Sequence, residues 1–378
     1  MGPAVVELPF ANGQRKLVST FPQKGAMILQ RTSPPLLETP FDVFDRGVFT
    51  ANDRFYVRWH LANIPTVIDP ADFTLNVHGH VRQPIKLSMR DLVHDFPVFE
   101  IAAVNQCSGN SRGFFNPRVA GGEWANGAMG NALWRGVRLK DVLDRAGVAD
   151  GAVQVRFRGL DTGVLPQTPN FIKSLAVDHA RDGEVMIAYE MNGEPLPLLN
   201  GFPLRLVVPG WYATYWVKML ADIEVLEARD ENYWMSKAYL IPDTPGANIT
   251  PQQKDVTLVP INRMVPRSFF TSLADGAVVK RGQSLAVRGI AFGGDTGVAK
   301  VQLSADGGHR WQDAHLGADH GKYSFRRWEL ALHFATAGPQ ALMVKAVNTS
   351  GVVQPAAANW NGGGYMRNVI ESVSVRVA

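Results

Sequence analysis

The sequence predicts a mixed α+β domain followed by an immunoglobulin-like β-sandwich. Three observations predict it. Strand-like and short helix-like patterns interleave up to about residue 230. The stretch 241–260 then carries four Pro among Asn, Thr and Gln, as a domain boundary or a long surface crossover would. Beyond it, short alternating runs recur between Gly-containing turns, as in a sandwich. The expected division is 1–50 as an extended arm packed on the first domain, 51–250 as the α+β domain, and 260–378 as the sandwich.

Residues 1–50 are rich in Pro and turn formers and lack helical periodicity, hence the arm. Phe73-Thr-Leu-Asn-Val-His-Gly79 alternates like a strand ending in a turn. Ser88, three residues before Asp91, is a helix-capping pattern ahead of Pro97. Leu139-Lys-Asp-Val-Leu-Asp-Arg-Ala-Gly147 has helical spacing and a Gly stop. Val153–Phe157 and Leu204–Val208 read as strands. In the sandwich, Ala286–Ile290, Val298–Leu303, Trp328–Leu332 and Ala341–Ala346 alternate with period two, and about seven strands are expected. The antibody-type Cys pair is missing, so the expectation is of architecture only.

Composition narrows the function classes. The 378 residues are 46% hydrophobic and 19% charged, which supports a large core rather than disorder. Thirty-eight basic against 34 acidic residues give +4 without a basic tract, so no nucleic-acid partner is expected. No apolar run is long enough to span a membrane, and no signal peptide is visible. The one cysteine, Cys107, excludes an intrachain disulfide, a Cys-rich metal cluster and a C-x-x-C-H haem attachment.

Cys107 lies in Val104-Asn-Gln-Cys-Ser-Gly-Asn-Ser-Arg-Gly113, where an apolar strand runs into a polar turn. Arg112 follows five residues later and would favour the thiolate, the nucleophilic and metal-ligating form. Taken alone, a lone Cys is more often a buried inert thiol. A Cys–His protease reading lacks any nucleophile motif. In Phe55-Tyr-Val-Arg-Trp-His60, Arg58 and His60 share a strand face and could hold an anion, although a solvated face has the same pattern. Arg205 and Lys218, in Gly201–Gly210 and Tyr215–Lys218, suit a phosphate clamp of guanidinium and ammonium, or an ordinary strand with charged edges. Tyr239 and Arg367 carry no signal singly.

Together, and in order, Arg58-x-His60, Cys107-x-Gly-Asn-x-Arg112, Glu190–Pro197, Gly201–Arg205 with Val207–Gly210, Trp216-Val-Lys218 and Met366-Arg-Asn368 resemble the sulfite oxidase family of molybdenum enzymes. The resemblance runs from about residue 35 to the C-terminus, and within the family it is strongest to bacterial sulfite dehydrogenases. It implies a molybdopterin-binding catalytic domain followed by a dimerisation-type immunoglobulin-like domain. Cys107 would ligate molybdenum. Arg58, Arg112 and Arg367 would form an anion pocket, with Tyr239 as a hydrogen-bond partner and Trp124 as a wall. Arg205 and Lys218 would hold the pterin phosphate or ring edge, with backbone at Tyr56, Val57, Arg58, His60, Trp216, Val217 and Lys218. Asp161 and Asn200 match further pterin contacts, and animal members carry His at the position of Asn200.

The implied reaction is molybdenum-dependent oxidation of sulfite to sulfate. Animal members have a haem domain ahead of the molybdenum domain. This chain has neither room for it nor a haem motif, so a separate c-type cytochrome is the implied acceptor. A homodimer through the sandwich and a periplasmic setting follow by the same analogy. The alternatives are a sulfoxide reductase or an oxygen-using sulfite oxidase on the same cofactor, and more distantly a β-sandwich binding protein without catalysis.

Overall fold

The computed structural model describes residues 4–378; residues 1–3 of the expected arm lie outside the described residues. Strands dominate. Among the described residues the four α-helices are short, the longest being Leu139–Ala146 with eight residues.

The arm is corrected to a sheet. Val5–Glu7, Gln14–Val18, Met27–Arg31, Leu36–Glu38 and Val57–Arg58 form five strands in chain order. Its Pro and Gly residues punctuate hairpins rather than an extended strap. The last strand carries Arg58, so this sheet is built directly onto the site. Ile28, Leu36 and Leu37 are buried beneath it.

Two further sheets make the first domain. One has the order Ile172–Ala176, Gln154–Gly159, Leu220–Leu226, Thr74–Gly79, Ile85–Ser88. Its single parallel pairing joins Leu220–Leu226 to Thr74–Gly79. The other has the order Glu194–Pro195, Met186–Met191, Met129–Arg138, Val98–Gln106, with Arg205–Val207 also pairing Met186–Met191. Residues 102–106 are buried at every position, because both faces of this strand are covered.

The local signals read from the sequence form as expected. Ser88 Oγ accepts from the Asp91 amide at 3.2 Å, and the Asp91 carboxylate accepts from the Ser88 amide at 2.8 Å, which starts the helix Met89–His94. Gly147 ends Leu139–Ala146 at φ 70°, a conformation that favours glycine.

The sandwich has nine strands, four in one sheet and five in the other, rather than about seven. Its own core is built on Val287, Val301, Leu303, Trp328, Leu342 and Val344. Phe269, Ile290, Phe292 and Phe325 instead join the core of the first domain. The two domains therefore share apolar packing. Arg288 pairs with Asp45 at 2.8 Å and Asn131 Nδ2 donates to Ser324 Oγ at 2.8 Å across the same boundary.

Candidate active site

The strand Val98–Gln106 delivers Cys107 to a turn where its amide donates to Ala128 O at 2.9 Å and its carbonyl accepts from Asn110 N at 2.9 Å. The thiol is 7% exposed. It stands where two cavities meet, and Arg58, Ser108 and Tyr239 also line both.

Tyr56, His60, Asn105, Asn200, Arg205 and Lys218 are among the walls of the inner cavity. Arg205 and Lys218 face each other through an isolated β-bridge, so the clamp is a cross-strand pair. The Arg205 guanidinium sits over Trp134 and Trp216 at 4.9 and 5.6 Å, and its Nη1 donates to Asn200 O at 2.9 Å.

Three side chains from elsewhere in the chain pin the segment 55–58. Lys24 Nζ donates to Phe55 O at 2.9 Å, Asn200 Nδ2 to Tyr56 O at 3.1 Å, and Lys218 Nζ to Arg58 O at 2.9 Å. Lys24 Nζ also meets Asn200 Oδ1 at 2.5 Å and donates to Asn52 O at 2.7 Å. Desolvation is the largest influence on both amines and lowers Lys24 and Lys218 to about 7. Asp161, buried beside Lys218, is raised to about 6 by the same cause.

The cavity also leaves buried polar atoms without partners: Arg58 Nη1, Asn105 Nδ2, Arg205 Nε and Thr214 Oγ1. Buried donors are normally satisfied, so these four mark the outline of a polar, anionic ligand. Arg58, Arg205 and Lys218 make no ion pair within 4.0 Å among the described residues. The phosphate and polar ring edge of a pterin match this wall in charge and in the donors it leaves open. Among the described residues no cluster of three His, Cys, Asp or Glu side chains could chelate a metal unaided. A metal at Cys107 therefore needs ligands that an organic cofactor brings, and the soft thiolate suits molybdenum carried by a dithiolene.

The outer cavity is a funnel lined by Arg31, Arg58, Arg112, Trp124, Tyr239 and Tyr365, with no carboxylate on its walls. Arg112 donates to Gly363 O at 3.2 Å and lies 5.3 Å over the Tyr365 ring. Glycines clear its place. A Cβ on Gly109 would meet Arg112 Nη1 at 2.4 Å, and one on Gly121 at 2.9 Å. Tyr239 adopts φ 57°, an uncommon conformation for a tyrosine, and stacks on Tyr365 at 5.3 Å. Its phenol is pushed upward by burial, against Arg58 and Arg112, and stays protonated.

The structure thus brings together Tyr56, Arg58, His60, Cys107, Arg112, Trp124, Asn200, Arg205, Lys218 and Tyr239. Val57, Asp161, Trp216 and Val217 lie behind the cavity wall rather than on it. Trp216 Nε1 is used on Trp211 O at 3.0 Å, and Val217 O accepts from Leu206 N at 2.8 Å. Arg367 is not among the funnel's walls: it lies over Phe114 of the first domain at 5.0 Å and pairs at 3.5 Å with Glu371, with its Nε buried and without a partner.

Sequence reasoning missed Lys24, Arg31, Asn105, Thr214 and Tyr365. Tyr365 directly precedes the motif Met366-Arg-Asn368, and the Gly362-Gly-Gly364 run beside it was a usable signal of close approach. Lys24 gave none.

Comparison with known proteins accords with this geometry. A family model described as an oxidoreductase molybdopterin binding domain matches residues 60–234, and one described as a Mo-co oxidoreductase dimerisation domain matches 259–378. The fold and site are those of a molybdopterin oxidoreductase. Sulfite oxidase of Gallus gallus is 32% identical over 90% of this chain and 76% of its own length. Mitochondrial sulfite oxidase of Mus musculus is 34% identical over 93% of this chain, which spans 66% of that relative. The chain belongs to the sulfite oxidase family. The sulfane dehydrogenase SoxCD of Paracoccus pantotrophus shares the fold, with a TM-score of 0.78 over 96% of this chain and 88% of that one, at 24% identity.

Proposed function

We propose that the chain oxidises sulfite to sulfate. The observation that carries this reading is the meeting of a carboxylate-free, guanidinium-lined funnel with a second, cation-lined cavity at one residue, Cys107.

Arg205 and Lys218 would hold the cofactor phosphate, and Cys107 would bind the metal. The bound molybdenum centre supplies oxygen-atom exchange and accepts two electrons. The chain does the rest. Arg58 and Arg112 neutralise a small dianion and turn its sulfur inward. Tyr239, kept protonated, offers a neutral hydroxyl at the same point. Trp124 and Tyr365 narrow the funnel. Overall, sulfite and water give sulfate, two electrons and two protons.

The electrons go one at a time to a separate c-type cytochrome, in a periplasmic setting, and the sandwich supports a homodimer. These assignments rest on the resemblance to bacterial family members and on the match of residues 259–378 to a dimerisation domain.

The test is sulfite-dependent reduction of a c-type cytochrome by protein shown to hold molybdenum. Reduction supports the full reading. Sulfite consumption with oxygen uptake but no cytochrome reduction would move the acceptor to dioxygen. No sulfite consumption, with dimethyl sulfoxide accepted as a substrate instead, would move the reaction to sulfoxide reduction.

A further inference from the structure

Arg31 enters the funnel from an element that sequence reading had assigned to an arm. The strand Met27–Arg31 pairs with Leu36–Glu38, which pairs with Val57–Arg58. The register sets Arg31 opposite Leu36, and Leu36 opposite Arg58. Arg31, Leu36 and Arg58 thus form one row across three strands, and all three line the funnel. The pairing shifts between Leu29 and Arg31, an irregularity of the kind that re-aims a side chain.

Arg31 stands exposed at the end of its strand, while Arg58 and Arg112 are partly covered deeper in. Only its Nε is used, donating to Pro34 O at 3.2 Å. It makes no ion pair within 4.0 Å among the described residues. Partial burial and the charge of Arg58 both lower its pKa, so the two guanidiniums repel with no anion between them. A structural arginine would sit on a carboxylate, as Arg367 does. This one is an unpaired cation on the rim of a cavity without acids.

We propose that Arg31 is an outer capture residue of the substrate funnel, which takes up small divalent oxyanions at the mouth and passes them to Arg58 and Arg112. The proposal rests on reading the funnel as a sulfite site. A single-sign cleft raises the encounter rate of an opposite charge, and salt screens the effect. Capture is an approach step, so Arg31 acts on kcat/KM and leaves the bound reaction to Arg58 and Arg112.

The experiment compares molybdenum-loaded wild type, Arg31→Gln and Arg31→Lys. Sulfite turnover is followed across ionic strength, and sulfate binding is titrated by calorimetry, which needs no turnover. In Arg31→Gln, kcat/KM is expected to fall about tenfold at low salt with kcat retained, and the gap to close as salt rises. Arg31→Lys restores most of it, and sulfate affinity falls in parallel in the Gln variant. If Arg31→Gln stays within about twofold of wild type at low salt and binds sulfate equally well, the proposal is overturned. A loss of kcat or molybdenum content that Lys does not restore overturns it too and places Arg31 in the scaffold. If wild type oxidises no sulfite, the function reading fails, and the sulfate titration alone decides Arg31.

Discussion

The Nε2 atom of His60 lies 2.5 Å from the hydroxyl of Tyr239, while the imidazole stacks on Phe171 at 3.6 Å. Burial, then the charges of Arg58 and Lys218, hold the His60 pKa well below its ordinary value, so the ring is neutral. A neutral imidazole and a protonated phenol fix Tyr239 without adding charge beside the arginines.

Tyr239→Phe removes that bond and leaves the His60 nitrogen unpaired. The expected result is a drop of about 10- to 100-fold in kcat/KM for sulfite, the cost of one positioning hydrogen bond. Molybdenum content should be retained. Steady-state kinetics on loaded protein checks it, and unchanged kcat/KM would remove Tyr239 from the pocket.

Cys107→Ser replaces a soft thiolate by a hard hydroxyl while preserving the turn built on its backbone. Turnover is expected to vanish with circular dichroism and melting behaviour close to wild type. Near-normal rates in a molybdenum-loaded variant would refute the ligand assignment.

Lys24→Met keeps the length of the side chain and deletes three hydrogen bonds, to Asn52 O, Phe55 O and Asn200 Oδ1. Asn200 and the segment 55–58 then lose their anchor at the cofactor wall. Pterin and molybdenum content per protein should fall to about a tenth or less, as expected when a buried charge-assisted bond is lost. Metal analysis of purified protein decides it, and full occupancy would make Lys24 a bystander.

The same lysines predict a pH dependence. In the cofactor-free chain, burial lowers Lys24 and Lys218 from the ordinary lysine value of 10.5 to about 7. Between those values the unfolded chain binds more protons than the folded one, so stability rises with pH through that window. A bound anionic cofactor keeps both amines charged and removes the slope. The gap in melting temperature between loaded and cofactor-free protein should therefore narrow from pH 7 to pH 9, as differential scanning calorimetry would show. A constant gap would mean that the lysines do not sense the cofactor.

Glu371 holds two guanidiniums, Arg267 at 2.6 Å and Arg367 at 3.5 Å. Arg267 is fully buried and also donates to Ser111 Oγ at 2.9 Å, on the loop that follows Cys107. Glu371→Gln leaves Arg267 uncompensated and should cost about 3 kcal/mol, the usual result of breaking a buried pair from one side. An apparent melting temperature lower by several degrees is the expected readout, and an unshifted melt would show that solvent already satisfies Arg267.

Much of the fold was legible in short-range chemistry. The Ser88–Asp91 capping box, the Gly147 stop and the alternating sandwich runs act within a few residues, and local sequence suffices for such signals. The N-terminal strands were not legible. Their alternation is weak, and although each pairs with its neighbour along the chain, the sheet is fixed to the domain by Leu36–Glu38 pairing with Val57–Arg58, well beyond it. The site was legible as far as its motifs reached. Cys107, Arg58, Arg112, Arg205, Lys218 and Tyr239 were found as residues, but the neighbours of Arg367, Phe114 and Glu371, depend on packing that no local pattern shows.

The sequence by itself determined the elements, the domain order and the residue types that can bind an anionic cofactor beside a thiolate. These rest on periodicity, capping and side-chain chemistry, which are properties of neighbours along the chain. Only the tertiary structure decided which cations face the funnel. Arg31 is there because two strand registers align it with Arg58, while Arg367 lies over Phe114 beside Glu371. Lys24 reaches the cofactor wall because a distant loop packs against Asn200. Such placements are set by long-range pairing and by the cost of leaving a buried charge unpaired, neither of which is written at any single position of the sequence.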